Sequence, residues 1–206
     1  RPTPLIYYVN DTDTTGDIYT TAPGAKINLG YRADSPRDTI QSILEQYRLV
    51  GGDSIRVDTG SYTLTNQVFI SPKASGSGTN QVLILGSTNL AAGGTLVQAG
   101  INMRAPAFEF YGAHDVRLAN IRIKGFTNGV SVAEQSSRCV LESLDIQESF
   151  GSGVVLNKLQ DITLRRVSIR HGTASAISLA QGKAMIESCV LWSNAASAVS
   201  LGSGAD

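Results

Sequence analysis

"FEFYGAHDVRLANIRIKGFTNG" (Phe108–Gly129) is followed by "VSVAEQSSRCVLESLDIQESFGSG" (Val130–Gly153), "VVLNKLQDITLRRVSIRHGTASA" (Val154–Ala176) and "ISLAQGKAMIESCVLWSNAASA" (Ile177–Ala198). A fifth copy opens at Val199 with "VSL", so successive copies start 22, 24, 23 and 22 residues apart. Their apolar positions fall into register. Phe110, Val132, Leu156, Leu179 and Leu201 form one column, and Leu118, Leu141, Leu164 and Ile186 a second. Ile121, Leu144, Val167 and Cys189 form a third, and Ile123, Ile146, Ile169 and Leu191 a fourth. Within each copy, apolar and polar residues alternate, as in "NIRIKG" and "RVSIRH", which is the pattern of short strands separated by Gly, Asn, Ser and Ala.

A unit of this size built from short strands cannot bury its apolar side alone. Stacking the copies sets like side chains over like, at the inter-strand spacing of about 4.8 Å. The sequence therefore predicts an all-β fold, a parallel β-helix solenoid of about 23 residues per coil. Leucine-rich repeats share the period, but no copy carries L-x-x-L-x-L-x-x-N or a helical segment. Cys139 and Cys189 take inward positions in different columns, two coils or roughly 10 Å apart, which is too far for a disulfide.

The 206 residues suffice for one domain with a real core: 42% are apolar and only 17% charged, with Lys+Arg and Asp+Glu equal at 17 each. That balance leaves no electrostatic footprint for nucleic acid or an anionic membrane, and no apolar run is long enough to span a bilayer. The opening "RPTPLIYYVND" lacks the regions of a signal peptide.

One helix is predicted, over residues 36–49, in "SPRDTIQSILEQYRLVGGD". Ser35 is expected to cap it, with Pro36 in the first turn, Asp38 completing a capping box, and Gly51–Gly52 ending it. Ile40, Ile43, Leu44 and Tyr47 would share one face and cover the first coil, since open ends of a stack invite edge-to-edge pairing.

These residues carry a resemblance. "YYVND", the segment through "NLG", the helix and then "GGDSIRVDTGSYTL" resemble the N-terminal cap of bacterial right-handed parallel β-helix proteins of the pectate-lyase-like superfamily. The element GD-x-I-x-V-x-x-G-x-Y is matched by Gly52, Asp53, Ile55, Val57, Gly60 and Tyr62. The resemblance implies a cap over residues 1–52 and coils over 53–206, and a secreted or cell-surface location. It does not imply one activity, because the superfamily includes lyases, hydrolases, epimerases and surface proteins without known catalysis. With no second cap after the last copy, further coils or another domain are expected beyond Asp206, and end-to-end self-association is expected of an open stack.

Strand parity selects the candidate residues. Val167 and Ile169 point inward, so Ser168 and Arg170 point out. Lys124, Gln147, Arg170 and Trp192 then share one outward column, and Arg122, Asp145, Ser168 and Val190 the next. Lys124 and Arg170 would pair with the carboxylates of an acidic polysaccharide, and Trp192 would stack on a pyranose ring. For lyase chemistry Arg170 would acidify a uronate proton and His171 would remove it. The calcium-binding acidic cluster typical of such lyases is reduced to Asp145, with Glu148 beyond the strand. The plainer reading makes these residues a solvated wall with His171–Gly172 as a turn. The column Glu142, Arg165 and Glu187 favours that, since it alternates in sign up the stack. His114 sits at a turn with no evident partner.

"NDTDTTGD" gathers Asn10, Asp11, Asp13 and Asp17 in a Gly-containing loop. Asp11, Asp13 and Asp17 are candidate ligands of a structural calcium ion, the one cofactor the sequence allows, although the spacing departs from an EF-hand and short Asx-rich loops form plain turns. "GSTNLAAGGT" (Gly86–Thr95) is expected to be a lateral loop. The expected role is a non-catalytic, rigid surface segment for adhesion, surface assembly or glycan contact, with a polysaccharide or another surface protein as partner. The alternative is a lyase or epimerase of acidic polysaccharide.

Overall fold

The alternation of apolar and polar residues becomes two curled sheets of parallel strands in a computed structural model that describes residues 3–205. Residues 1, 2 and 206, the outermost positions of the span expected to form one domain, lie outside that description. The larger sheet has eleven strands. One run stacks Ile6–Val9, Ser54–Val57, Val82–Gly86, Val116–Ala119, Val140–Glu142 and the second half of Val154–Arg165. The other stacks Val68–Ile70, Phe108–Tyr111, Val130–Ala133 and the first half of Val154–Arg165. Val154–Arg165, Ile177–Glu187 and Val199–Ala205 continue the stack, the first two running through the corner that breaks the strand in earlier coils. The second sheet has six strands: Gly60–Leu64, Thr95–Ala99, Ile121–Lys124, Asp145–Gln147, Ser168–Arg170 and Val190–Trp192. The chain is thus the parallel β-helix that its repeats predict.

The inner columns superpose as expected. Leu118, Leu141, Leu164 and Ile186 are direct cross-strand partners, and the row continues through Ile84, Ile55 and Tyr7. Phe110, Val132, Leu156, Leu179 and Leu201 form the second row. All but Ile186 and Leu201 are buried, each contributing about 1.5–3 kcal/mol of apolar burial. Cys139 and Cys189 are free thiols; burial pushes the Cys139 thiol up to about 12.

The corner between the sheets is made by one residue per coil in the left-handed region: Asn120, Ser143, Arg166 and Ser188, with φ of 60°, 51°, 54° and 53°. Each turns the chain sharply, and in the first three the amide still bonds to the coil above: Asn120 to the Glu142 carbonyl, Ser143 to that of Arg165, Arg166 to that of Glu187. Left-handed backbone is disfavoured at residues with a Cβ, and stacking supplies the compensating hydrogen bonds.

The helix is shorter than expected. It spans Ile40–Gln46, with Thr39 rather than Ser35 as N-cap, its hydroxyl accepting from the Ser42 amide. The residues ahead of it are taken by the sheet. Arg37 donates to the Tyr8 carbonyl, and its own carbonyl accepts from Asn10, so Pro36–Asp38 lies alongside the first strand. At the other end Tyr47 turns extended and the Leu49 amide bonds to the Lys73 carbonyl, which ends the helix well before Gly51–Gly52. Ile40, Ile43 and Leu44 are buried and the helix packs on Ser54–Val57 and Val68–Ile70, so the covering role stands.

The GD-x-I-x-V-x-x-G-x-Y element holds this end together. Asp53 accepts from the amides of Leu5 and Val50, and Tyr62 donates to the Asp58 carbonyl. Gly60 has φ 150°, and a Cβ there would lie 2.2 Å from Asp11 Oδ2. Asp58 is fully buried and accepts from the amides of Ile18, Tyr19, Thr20 and Thr59 and from the Thr20 hydroxyl, pinning the N-terminal loop to the coils.

Candidate functional site

The outer face of the six-stranded sheet carries the outward residues. Its cross-strand partners run Gln98, Lys124, Gln147, Arg170 and Trp192 in one column, and Leu96, Arg122, Asp145, Ser168 and Val190 in the next. Register alone therefore brings Lys124, Arg170 and Trp192 to one surface, with the two cations two coils apart.

Both cations are already engaged within the protein. Arg170 holds Asp145 through both terminal nitrogens, Nη1 to Oδ1 at 2.6 Å and Nη2 to Oδ2 at 3.1 Å. Asp145 Oδ2 also accepts from Gln147 Nε2 at 2.7 Å. Lys124 Nζ lies 3.2 Å from Glu148 Oε1, with both side chains about half exposed. The Lys124–Glu148 pair, being half exposed, contributes about 0–1 kcal/mol, so a ligand carboxylate can still compete for Lys124, whereas the two-pronged Arg170–Asp145 pair is about three-quarters buried. Trp192 ends the column, 48% exposed, with the Arg170 guanidinium carbon 5.9 Å from its ring centroid.

His171 is a turn residue. Its φ of 57° matches Gly125, Glu148 and Ser193, the equivalent positions of other coils at 79°, 54° and 56°. Its ring meets Trp192 edge-on with centroids 4.8 Å apart. Arg170 and His171 thus belong to different parts of the coil, one to the sheet face and one to the corner. His114 has a partner that the sequence did not reveal: its Nδ1 is 3.1 Å from Asp115 Oδ2. Asp115 also takes Arg138 in a two-pronged bond at 2.8 and 2.7 Å, which, with the His114 contact, holds its carboxyl below the ordinary value against the opposing effect of burial.

The Asp-rich loop is bonded to backbone. Asp11 accepts from the amides of Asp13 and Ser61, and Asp13 from that of Thr15. Asp17 accepts from the Asn10 side chain and the Thr20 hydroxyl, and burial raises its carboxyl above the usual range. Among the described residues no group of three His, Cys, Asp or Glu side chains is placed to hold a metal ion. Asp11 and Asp13 thus form Asx turns, while Asp17 is held by the side chains of Asn10 and Thr20.

The charge ladder is richer than a simple alternation. Glu142 pairs across strands with Arg165, and Arg165 with Glu187. Glu142 is also in contact with Arg117 from the preceding coil and Arg166 from the following one.

Two concavities flank the sheet face. The expected lateral loop carries a short 3-10 turn, Leu90–Ala92, and walls a cleft of about 480 Å³ at the left-handed corner, lined by Leu90, Ile121, Arg122, Leu144, Asp145 and Arg166 among others. On the opposite edge a second, of about 440 Å³, lies between Gln98, Met103, Arg104, Lys124 and Phe150. Sequence reasoning missed both. The one available signal was Arg122 beside a coil with an inserted loop.

Comparison with known proteins places these features in context. The family profile described as "Right handed beta helix region" matches residues 39–206. No curated protein sequence matches. Among solved structures, "Crystal structure of pectate lyase Pel9A" superposes with a TM-score of 0.63 at 14% identity, covering 92% of this chain and 49% of that one. The chain therefore spans about half the length of that lyase, and at this identity the likeness concerns the fold.

Proposed function

Because the chain belongs to the right-handed β-helix family, we propose that it is a non-catalytic, rigid segment of a secreted or cell-surface protein whose six-stranded face contacts acidic polysaccharide. The observation that carries the reading is the joint placement of Lys124, Arg170 and the exposed Trp192 on one open face. An acidic sugar needs a cation for its carboxylate and a flat apolar ring for its C–H face, and this surface offers both. Phe150, 65% exposed on the loop after Asp145–Gln147 and sharing a concavity with Lys124, adds a second ring.

Two features favour binding over catalysis. Arg170, the candidate for acidifying a uronate proton, spends both terminal nitrogens on Asp145. His171, the candidate base, sits in the turn with its ring against Trp192. The stack gives the face its stiffness, since each coil bonds to both neighbours.

Titration with polygalacturonate and alginate tests the reading, with ultraviolet absorbance monitored for unsaturated product. Expected is binding that weakens with salt and falls about tenfold or more in Trp192→Ala, without turnover. Turnover abolished by Arg170→Ala would replace this reading with the lyase or epimerase alternative.

A further inference from the structure

We infer that the corner cleft beside Arg122 binds a single carboxylated sugar residue, a hexuronate at a chain end or side branch. The ligand class rests on the glycan reading above, but the site uses different residues from the Arg170–Trp192 face.

The cleft's volume, about 480 Å³, lies in the lower part of the range for small-molecule sites. Its exposed apolar wall is Leu90 of the lateral loop, 73% exposed, over a floor formed by the buried Ile121 and Leu144, which follow the left-handed corner residues of successive coils. That lining suits the C–H face of a pyranose ring. Thr88 and Ser143 add hydroxyls for the ring's own hydroxyl groups.

The charge on the rim is unbalanced. Asp145, the one acid lining the cleft, already accepts from both terminal nitrogens of Arg170 and from Gln147. Arg122 gives Nη1 to the Gly93 carbonyl at 3.0 Å, and its Nε is 3.9 Å from Asp145, which leaves Nη2 without a hydrogen-bond partner among the described residues. Arg166 gives Nη2 to Glu142 and Nε to Ser143 Oγ at 3.4 Å, and its Nη1 is similarly unused. Two guanidinium groups with spare donors on an apolar cleft select an anion carried on a ring with an apolar face.

The lateral loop sets the ligand's topology. The Arg122 bond to Gly93 ties the loop across the corner, so a sugar in the cleft meets a wall on that side. A polymer would present its terminus or a branch here, not an internal residue.

Galacturonate and galactose monomers, titrated against the full chain and followed by saturation-transfer NMR and by the methyl shifts of Leu90 and Leu144, test the inference. Galacturonate is expected to shift both methyls and galactose to shift neither. Arg122→Gln should weaken binding about 10- to 100-fold, the value of one charge-assisted interaction. Leu90→Trp, which leaves the Arg122–Gly93 bond in place, should block the cleft, and Trp192→Ala should have no effect on the monomer. Galacturonate binding that ignores both cleft substitutions, or no methyl shifts at all, overturns the site. Polyuronate binding that depends on Trp192, with no monomer effect, would remove the cleft and keep the face. Monomer binding in the cleft without polymer binding would do the reverse.

Discussion

Glu142→Gln tests how this wall is held together. The carboxylate is 2% exposed and links three consecutive coils: Oε2 faces Arg117, and Oε1 accepts from Arg165 Nε at 3.0 Å and from Arg166. Gln retains the shape and one acceptor but leaves three guanidinium groups facing each other with no neutralising charge. Removing one partner of a buried ion pair costs about 3–5 kcal/mol. The arginine side chains are 38–56% exposed and regain water, which lowers the expected loss. The result is about 2–3 kcal/mol, or a fall in Tm of roughly 4–12 °C for a chain of this length.

The pH dependence separates charge from packing. Burial raises the Glu142 carboxyl, but bonds from Arg165 and the nearby Arg117 and Arg166 charges outweigh it and hold the group below its ordinary value. A depressed folded-state value gives stability that is full above the unfolded value and lost as pH falls through the folded one. Urea melts of the parent and Glu142→Gln should therefore differ fully at pH 7. The gap should narrow below about pH 4.3 and close once Glu142 protonates in the folded state. A gap within about 0.5 kcal/mol at pH 7, the scatter of ordinary surface changes, would refute the reasoning. So would a gap that persists unchanged in acid.

The inner rows and the N-terminal anchor give two further tests. Leu141→Ala, between Leu118 and Leu164 in the buried row, should cost about 2–5 kcal/mol in urea melts. Leu201→Ala, at a position 68% exposed, should cost about 0.5 kcal/mol or less, and equal losses would contradict the packing described. Asp58→Asn turns one of two acceptor oxygens into a donor facing amides, at a cost of about 1–3 kcal/mol. Amide exchange at Ile18, Tyr19 and Thr20 should accelerate while the Leu141 and Leu164 amides stay protected; unchanged exchange at Ile18–Thr20 would show that Asp58 does not hold the loop.

Much of the fold was legible because a solenoid is nearly one-dimensional. A residue's neighbour above is the residue one repeat later, so spacing gives contact directly. Leu118, Leu141, Leu164 and Ile186 could be aligned by eye, and so could Lys124, Gln147, Arg170 and Trp192. The helix boundary was harder. Ser35-Pro36 is a sound local start signal, but Arg37 bonds to Tyr8 and Asn10, partners far from the helix in sequence.

The site divides in the same way. By itself the sequence determined which side chains share a column and which face they share, because period two within a strand and about 23 residues between coils fix both. Only the tertiary structure decided what those side chains do there. Arg170 is tied to Asp145 by side-chain reach across two strands; Glu142 gathers three arginines because a left-handed corner swings Arg166 beside it; and the Arg122 cleft exists because a lateral loop folds back over that corner. Repeat spacing carries register, but corner angles, rotamers and loop closure depend on contacts that no single period encodes.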